Sequence, residues 1–181
     1  MSVRASRYIA WVLRHGANKA DLPIDDAGWV VIEDLINSLR SRGYRVDEVT
    51  VQAIVANDEK GRYSISQNGQ RIRANYGHSI AVALTAPPTT PPEVLYHGTA
   101  RLSIDSIRRD GLLPGTRQYV HLSDEVAGAL SVGSRHGRPV AIKIDSQTMH
   151  DDGMLFYAVG KHTWLTGQVP VRYLRLHELI F

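Results

Sequence analysis

Cysteine is absent from the 181 residues, which excludes disulfides, thiolate nucleophiles and thiolate-bound zinc together. Lysine is scarce as well: of 21 basic residues only Lys19, Lys60, Lys143 and Lys161 are lysines, leaving 17 arginines. No stretch approaches the ~18 consecutive apolar residues of a membrane span. Met1 leads into an amphipathic helical pattern rather than a basic, then apolar, leader. HExxH, paired His-x-His and EF-hand patterns are missing, so no metal site is expected. GxSxG elbows, phosphate loops of the Walker type and GxGxxG turns are missing too, which removes support for common hydrolases, ATPases and Rossmann enzymes. With 43% hydrophobic and 22% charged residues, the expectation is a folded cytoplasmic monomer with no membrane partner.

The arginine excess is the first positive signal, because a guanidinium fork grips phosphate at two points where an ammonium offers a point charge. A GC-rich coding sequence would produce the same bias, so the positions of the arginines must decide. "TAPPTTPPE", Thr85 to Glu93, holds four prolines and can form neither a helix nor a central strand. It predicts a linker at 87–92 between lobes at 1–86 and 93–181.

In the first lobe, "SVRASRYIAWVLRHG" places Tyr8, Ile9, Trp11, Val12 and Leu13 at helical spacing, with Gly16 where a C-cap belongs. "VVIEDLINSLRSRG" repeats the pattern with Ile32, Leu35, Ile36 and Leu39 on one face and Gly43 as the stop. "VDEVTVQAIVAND" opens on Asp47 as N-cap. Two alternating runs then flank Asn68-Gly69, a hairpin dipeptide. Three helices and a hairpin predict a winged helix-turn-helix, with Ile72 and Ala74 turned inward and Arg71, Arg73 and Asn75 outward. Arg71 on the wing, with His78 and Ser79 in the Gly-His-Ser turn beside it, is a compact donor set for a nucleic-acid backbone. A solvated strand face is the competing explanation for Arg71 alone.

The second lobe reads as a small α+β sheet domain. "EVLYHGT" is expected to be a strand entering a His97-Gly98-Thr99 turn, and "RLSIDSIRRDGL" a helix closed by Gly111. "QYVHLS" reads as a strand whose Ser123 can also cap the helix "DEVAGALSVGSRHG". "RPVAIKID", "MLFYAVG", "HTWLTG" and "VRYLRLHEL" read as strands, and "SQTMHDDG" as a short helix. Singly, the polar residues here are ambiguous. Arg14-His15 satisfies a helix C-terminus, and His121 between Val120 and Leu122 fits a core position.

In combination they are not ambiguous. "LRHG", "IRANYGHS", "LYHGTA", "YVHLS", "GSRHGRPV" and "TWLTGQVP" resemble, in order and across both lobes, the motifs of the NAD⁺-dependent RNA 2′-phosphotransferase family. The resemblance implies a winged-helix RNA lobe, an ADP-ribosyltransferase-like lobe, NAD⁺ as co-substrate, no metal, and a tRNA-like RNA carrying a 2′-phosphate as partner. It also implies two steps. The RNA 2′-phosphate displaces nicotinamide from the anomeric carbon of NAD⁺. The ribose 2″-hydroxyl then attacks phosphorus, releasing 2′-hydroxyl RNA and ADP-ribose 1″,2″-cyclic phosphate. On this resemblance Arg14, His15, Arg73 and Arg135 are the catalytic set, and His97, Gly98, Thr99, His121 and Ser123 form the dinucleotide pocket. His15 is the candidate for proton transfer, and an orienting hydrogen bond to phosphate is the other role open to it.

Two positions depart from the family pattern: Tyr76 stands where Gln precedes Gly-His-Ser, and Lys161-His162-Thr163 replaces Asn-Gly-Val. Two other functions remain to be separated. One is an ADP-ribosyltransferase that caps terminal phosphates of nucleic acids, and the other a non-catalytic RNA-binding and NAD⁺-binding protein.

Overall fold

A computed structural model of the chain describes residues 3–181. It is a mixed α/β protein with two antiparallel sheets and, among the described residues, six α-helices. Two compact units divide it, Met1–Thr85 and Ala86–Phe181.

In the first unit, α1 (Val3–Trp11) runs into a π-helical turn, Val12–Gly16, and a short 3-10 turn, Asn18–Ala20. The predicted helix start at Ser2 lies outside the described residues. The predicted C-cap at Gly16 is corrected: the helix widens instead of stopping, and the chain continues through a right-handed Ala17. A Cβ at Gly16 would lie 2.5 Å from the Trp11 ring, so a side chain there would have to displace that ring. Next come β1 (Val30–Val31), α2 (Ile32–Ser41), α3 (Glu48–Ala56), β2 (Tyr63–Ile65) and β3 (Arg71–Ala74). Gly43, at φ +81°, follows the end of α2, and the Asp47 carboxylate accepts from Thr50 N at 2.8 Å to cap α3.

Strand β3 is central, in the order β1-β3-β2, with Ser64 opposite Arg73 and Val30 opposite Ile72. The hairpin turns through Gly69 at φ +74°. Ile72 and Ala74 are buried with Ile9, Leu13, Leu35, Leu39 and Val51, which joins the strand pattern to the helix faces in one core. The outward positions are less uniform than alternation predicts. Arg71 is exposed, but Arg73 is half-buried, and Asn75 turns back to the neighbouring chain, donating to Gly61 O and accepting from Ser64 Oγ.

The second unit is built on β4 (Val94–Ala100), β5 (Val120–Ser123), β6 (Pro139–Asp145), β7 (Phe156–Ala158) and β8 (Thr163–Thr166), ordered β6-β4-β5-β8-β7. Helices α4 (Ile104–Asp110), α5 (Val126–Gly133) and α6 (Ser146–Asp151) join them. The His97-Gly98-Thr99 turn is corrected to strand: β4 continues through Gly98 and pairs with β6 from Val94 to Ala100. Helix α5 stops at Gly133, short of the "SRHG" that the sequence pattern included. "VRYLRLHEL" alternates like a strand but folds as a 3-10 turn, Val171–Tyr173, followed by single bridges of Leu174 to Ile144 and Ile180 to Ala141. That segment covers the outer edge of β6 without extending the sheet. The proline segment is anchored to this unit, with Thr89 N donating to Phe156 O and Ser146 Oγ to Pro92 O.

Candidate functional site

The first unit gathers cations around one buried imidazole. The π turn swings Arg14 and His15 toward residues 76–79, where Ser79 N donates to Arg14 O at 3.0 Å and His15 Nδ1 lies 2.8 Å from Ser79 Oγ. A π turn inserts one residue into the helical ladder and commonly marks a functional position. Here its effect is local: the backbone carbonyl of Arg14 and the ring of His15 both meet the Ser79 loop. Gly77 sits at φ +90°, and a Cβ on it would lie 3.3 Å from Arg14 Nε, so the guanidinium lies against a backbone only glycine supplies.

Two aromatic faces hold the guanidiniums. Arg14 Cζ is 5.1 Å from the Tyr76 ring centroid, and Tyr76 is itself tied by its hydroxyl to Lys60 O at 3.1 Å. Arg73 Cζ is 4.6 Å from the Trp29 ring, whose backbone N–H donates to Asp25 at 2.8 Å. Arg73 Nε is buried with no hydrogen-bond partner among the described residues, a cationic donor withdrawn from water. Neither aromatic was singled out by sequence reasoning as a support. The signal was available as a Trp or Tyr next to glycine in "AGWVV" and "NYGHS".

His78 reports the sign of this environment. It is 7% exposed, and burial pushes its imidazole down to about 4, with Arg14, His15 and Arg73 each adding in the same direction. Every charge acting on it is positive. His78 is therefore neutral at pH 7 in the ligand-free protein. The depressed value also makes a stability prediction. Its folded value lies below the ordinary 6.5, so the contribution is complete above pH 6.5 and disappears as pH falls through about 4. About 3 kcal/mol is at stake from a shift of this size. Urea unfolding at pH 7 and pH 4 should show a smaller acid loss in His78→Gln than in the parent; equal losses would contradict the assignment.

On the wing, Arg71 reaches Asp25 at 3.4 Å, and both side chains are about half exposed, so this ion pair contributes little. Arg71 remains accessible.

The second unit brings two sequence-predicted histidines together across β4 and β5. His97 Nδ1 donates to the His121 carbonyl at 3.0 Å, and His121 Nδ1 donates to Tyr119 O at 3.1 Å. Burial, and more weakly Arg117, hold His97 below its ordinary value against the opposing pull of that carbonyl. A neutral imidazole with its proton on Nδ1 presents Nε2 as an acceptor, which suits a sugar hydroxyl. Thr99 is buried, and Ser123 Oγ accepts from Glu125 N at 3.1 Å, leaving its own proton to donate. The side of Gly98 that lacks a Cβ faces helix α5, where Ala129 O would lie 1.7 Å away, so the close approach is strand to helix. Arg135 lies just beyond α5 and is exposed, its N–H donating to Val132 O.

Among the described residues no group of three or more His, Asp or Glu is arranged to hold a metal ion, and no helix is long and apolar enough to cross a membrane. The two units offer cationic donors, hydroxyls and neutral imidazoles, groups suited to phosphate and sugar. Comparison with known proteins points the same way. The chain is 43% identical over 174 residues to a probable RNA 2′-phosphotransferase of Agrobacterium fabrum, covering 96% of this chain and 94% of that one. A protein of the same description from Pseudomonas aeruginosa PAO1 is 46% identical over 171 residues, 94% of each. Another from Nostoc punctiforme is 39% identical over 173 residues, 96% of each. The model of the "RNA 2'-phosphotransferase, Tpt1 / KptA family" matches residues 1–168 and so spans both units and both sets of residues, and the chain belongs to that family.

Proposed function

We propose that this chain is an NAD⁺-dependent RNA 2′-phosphotransferase, whose first unit is a winged-helix RNA lobe and whose second is an ADP-ribosyltransferase-like lobe. The observation that carries the reading is the convergence of Arg14, His15 and Arg73 on buried His78, a pocket of positive charge inside a domain with an arginine-bearing hairpin. NAD⁺ supplies an anomeric carbon with a neutral leaving group. A phosphate monoester is already a competent nucleophile at neutral pH, so this chain's task in the first step is positioning. Arg14 and Arg73, braced on Tyr76 and Trp29, hold the 2′-phosphate, and Arg135 adds charge as phosphoryl transfer proceeds. His15, oriented through Nδ1 by Ser79, takes the proton of the attacking ribose hydroxyl on its other nitrogen. His97 accepts from a ribose hydroxyl of the dinucleotide, with Thr99, His121 and Ser123 completing the pocket around Gly98.

Division of labour between the units gives a test. Arg71→Ala should weaken RNA binding and lower the slope of log affinity against log salt by about one, the share of one phosphate contact. NAD⁺ affinity should not move. An equal loss for both ligands would overturn the assignment of RNA to the hairpin.

A further inference from the structure

Arg117 belongs to none of the sets named above, yet the topology of the second unit carries it to the same end of the sheet as Arg135. Helix α5 ends on β4: a Cβ at Gly133 would lie 2.4 Å from Thr99 O, so the last turn of the helix rests on the Thr99 end of that strand. Arg135 follows directly, in a turn closed by its N–H on Val132 O. Strand β5 runs antiparallel to β4 with Tyr96 opposite Ser123, which brings the Val120 end of β5 beside the Thr99 end of β4. Arg117 enters at that end, in a turn closed by its own N–H on Pro114 O at 3.2 Å.

The charge of Arg135 acts on Arg117. Arg117 is held below its ordinary value first by partial withdrawal from water and then by Arg135, and Arg117 in turn disfavours a proton on His97. No carboxylate offsets this. Among the described residues neither arginine makes an ion pair with a carboxylate. Two mutually repelling guanidiniums beside a neutral imidazole acceptor form a site that an anion would relax, and the acceptor adds affinity for a hydroxyl nearby. Phosphate attached to a sugar has both features.

We infer that Arg117 is a further phosphate-binding residue, sharing with Arg135 the oxygens of a sugar-linked phosphate in the second unit. This rests on the NAD⁺ reading above. The phosphate is either the pyrophosphate of the dinucleotide or the group being transferred, and the two sources are separable.

Arg117→Ala and Arg117→Gln, with exposed Arg109→Ala as the charge control, should be titrated calorimetrically with ADP-ribose and with inorganic pyrophosphate, and assayed in single turnover with NAD⁺ and 2′-phosphorylated RNA. Loss of one charged hydrogen-bonding partner predicts an effect of about 10- to 100-fold. A loss of that size in affinity for ADP-ribose and pyrophosphate identifies the dinucleotide pyrophosphate. Unchanged affinity with accumulation of ADP-ribosylated RNA identifies the transferred phosphate. The Gln variant keeps most of the side-chain stem, so it carries the test if the Ala variant loses stability. Parental behaviour of both variants in every arm overturns the role of Arg117. Failure of the unaltered protein to release nicotinamide would instead overturn the NAD⁺ reading, and the pyrophosphate titration would still decide whether Arg117 binds phosphate.

Discussion

Arg135→Ala is expected to lower the rate of 2′-phosphate removal by about 10²–10³-fold, the usual effect of deleting one donor aimed at developing oxyanion charge. Arg135 stands beyond the end of α5, exposed and without an ion pair among the described residues, so its removal takes away charge without opening a cavity. Folding should therefore be unaffected while turnover collapses. Lysine should restore little, because an ammonium cannot reproduce two parallel hydrogen bonds to phosphate. Which step slows is the informative part. If Arg14, His15 and Arg73 serve phosphoryl transfer more than initial attack, substitutions there should let ADP-ribosylated RNA accumulate as a slower-migrating band. If all four substitutions instead abolished RNA binding with no such band, the set would be a phosphate receptor and nothing more.

Gly98→Ala is expected to destabilise the second unit by about 3 kcal/mol or more, at the severe end of single substitutions. The added methyl would lie 1.7 Å from Ala129 O, 2.5 Å from its carbonyl carbon and 2.9 Å from its Cα, all backbone atoms of α5. No rotamer change relieves a clash with backbone. The helix must lift from β4, which loosens contacts on both sides of Thr99 and displaces the turn that carries Arg135. Thermal unfolding should show the loss, at roughly 4–8 °C per kcal/mol for a unit of this size. Gly167→Ala, where a Cβ would meet nothing within 4 Å, is the control and should be near neutral. A mild effect at Gly98 would mean that the strand and helix are not in this contact.

The contrast at Gly98 shows what sequence can and cannot convey. Helix α2, the Asp47 cap of α3 and the inward pair Ile72 and Ala74 follow from periodicity and local hydrogen bonding, so they were legible without coordinates. Gly98 reads as a turn because glycine usually punctuates a strand, and only the arrival of α5, some thirty positions further along, reveals why the strand continues. Gly16 misleads in the same way, since its partner is the Trp11 ring. The C-terminal "VRYLRLHEL" alternates properly but finds no open edge to pair along its length. The identities of Arg14, His15, Arg73 and Arg135 came from ordered motifs, whereas the Tyr76 and Trp29 supports and the position of Arg117 depend on tertiary neighbours that no periodicity encodes.

The central claim is tested most directly by incubating the protein, in chelator, with NAD⁺ and a short RNA bearing one internal 2′-phosphate, and resolving all products by mass. The account predicts three together: RNA with a free 2′-hydroxyl, nicotinamide, and ADP-ribose 1″,2″-cyclic phosphate. RNA that keeps its phosphate with ADP-ribose permanently attached, or that is bound without any release of nicotinamide, would contradict it.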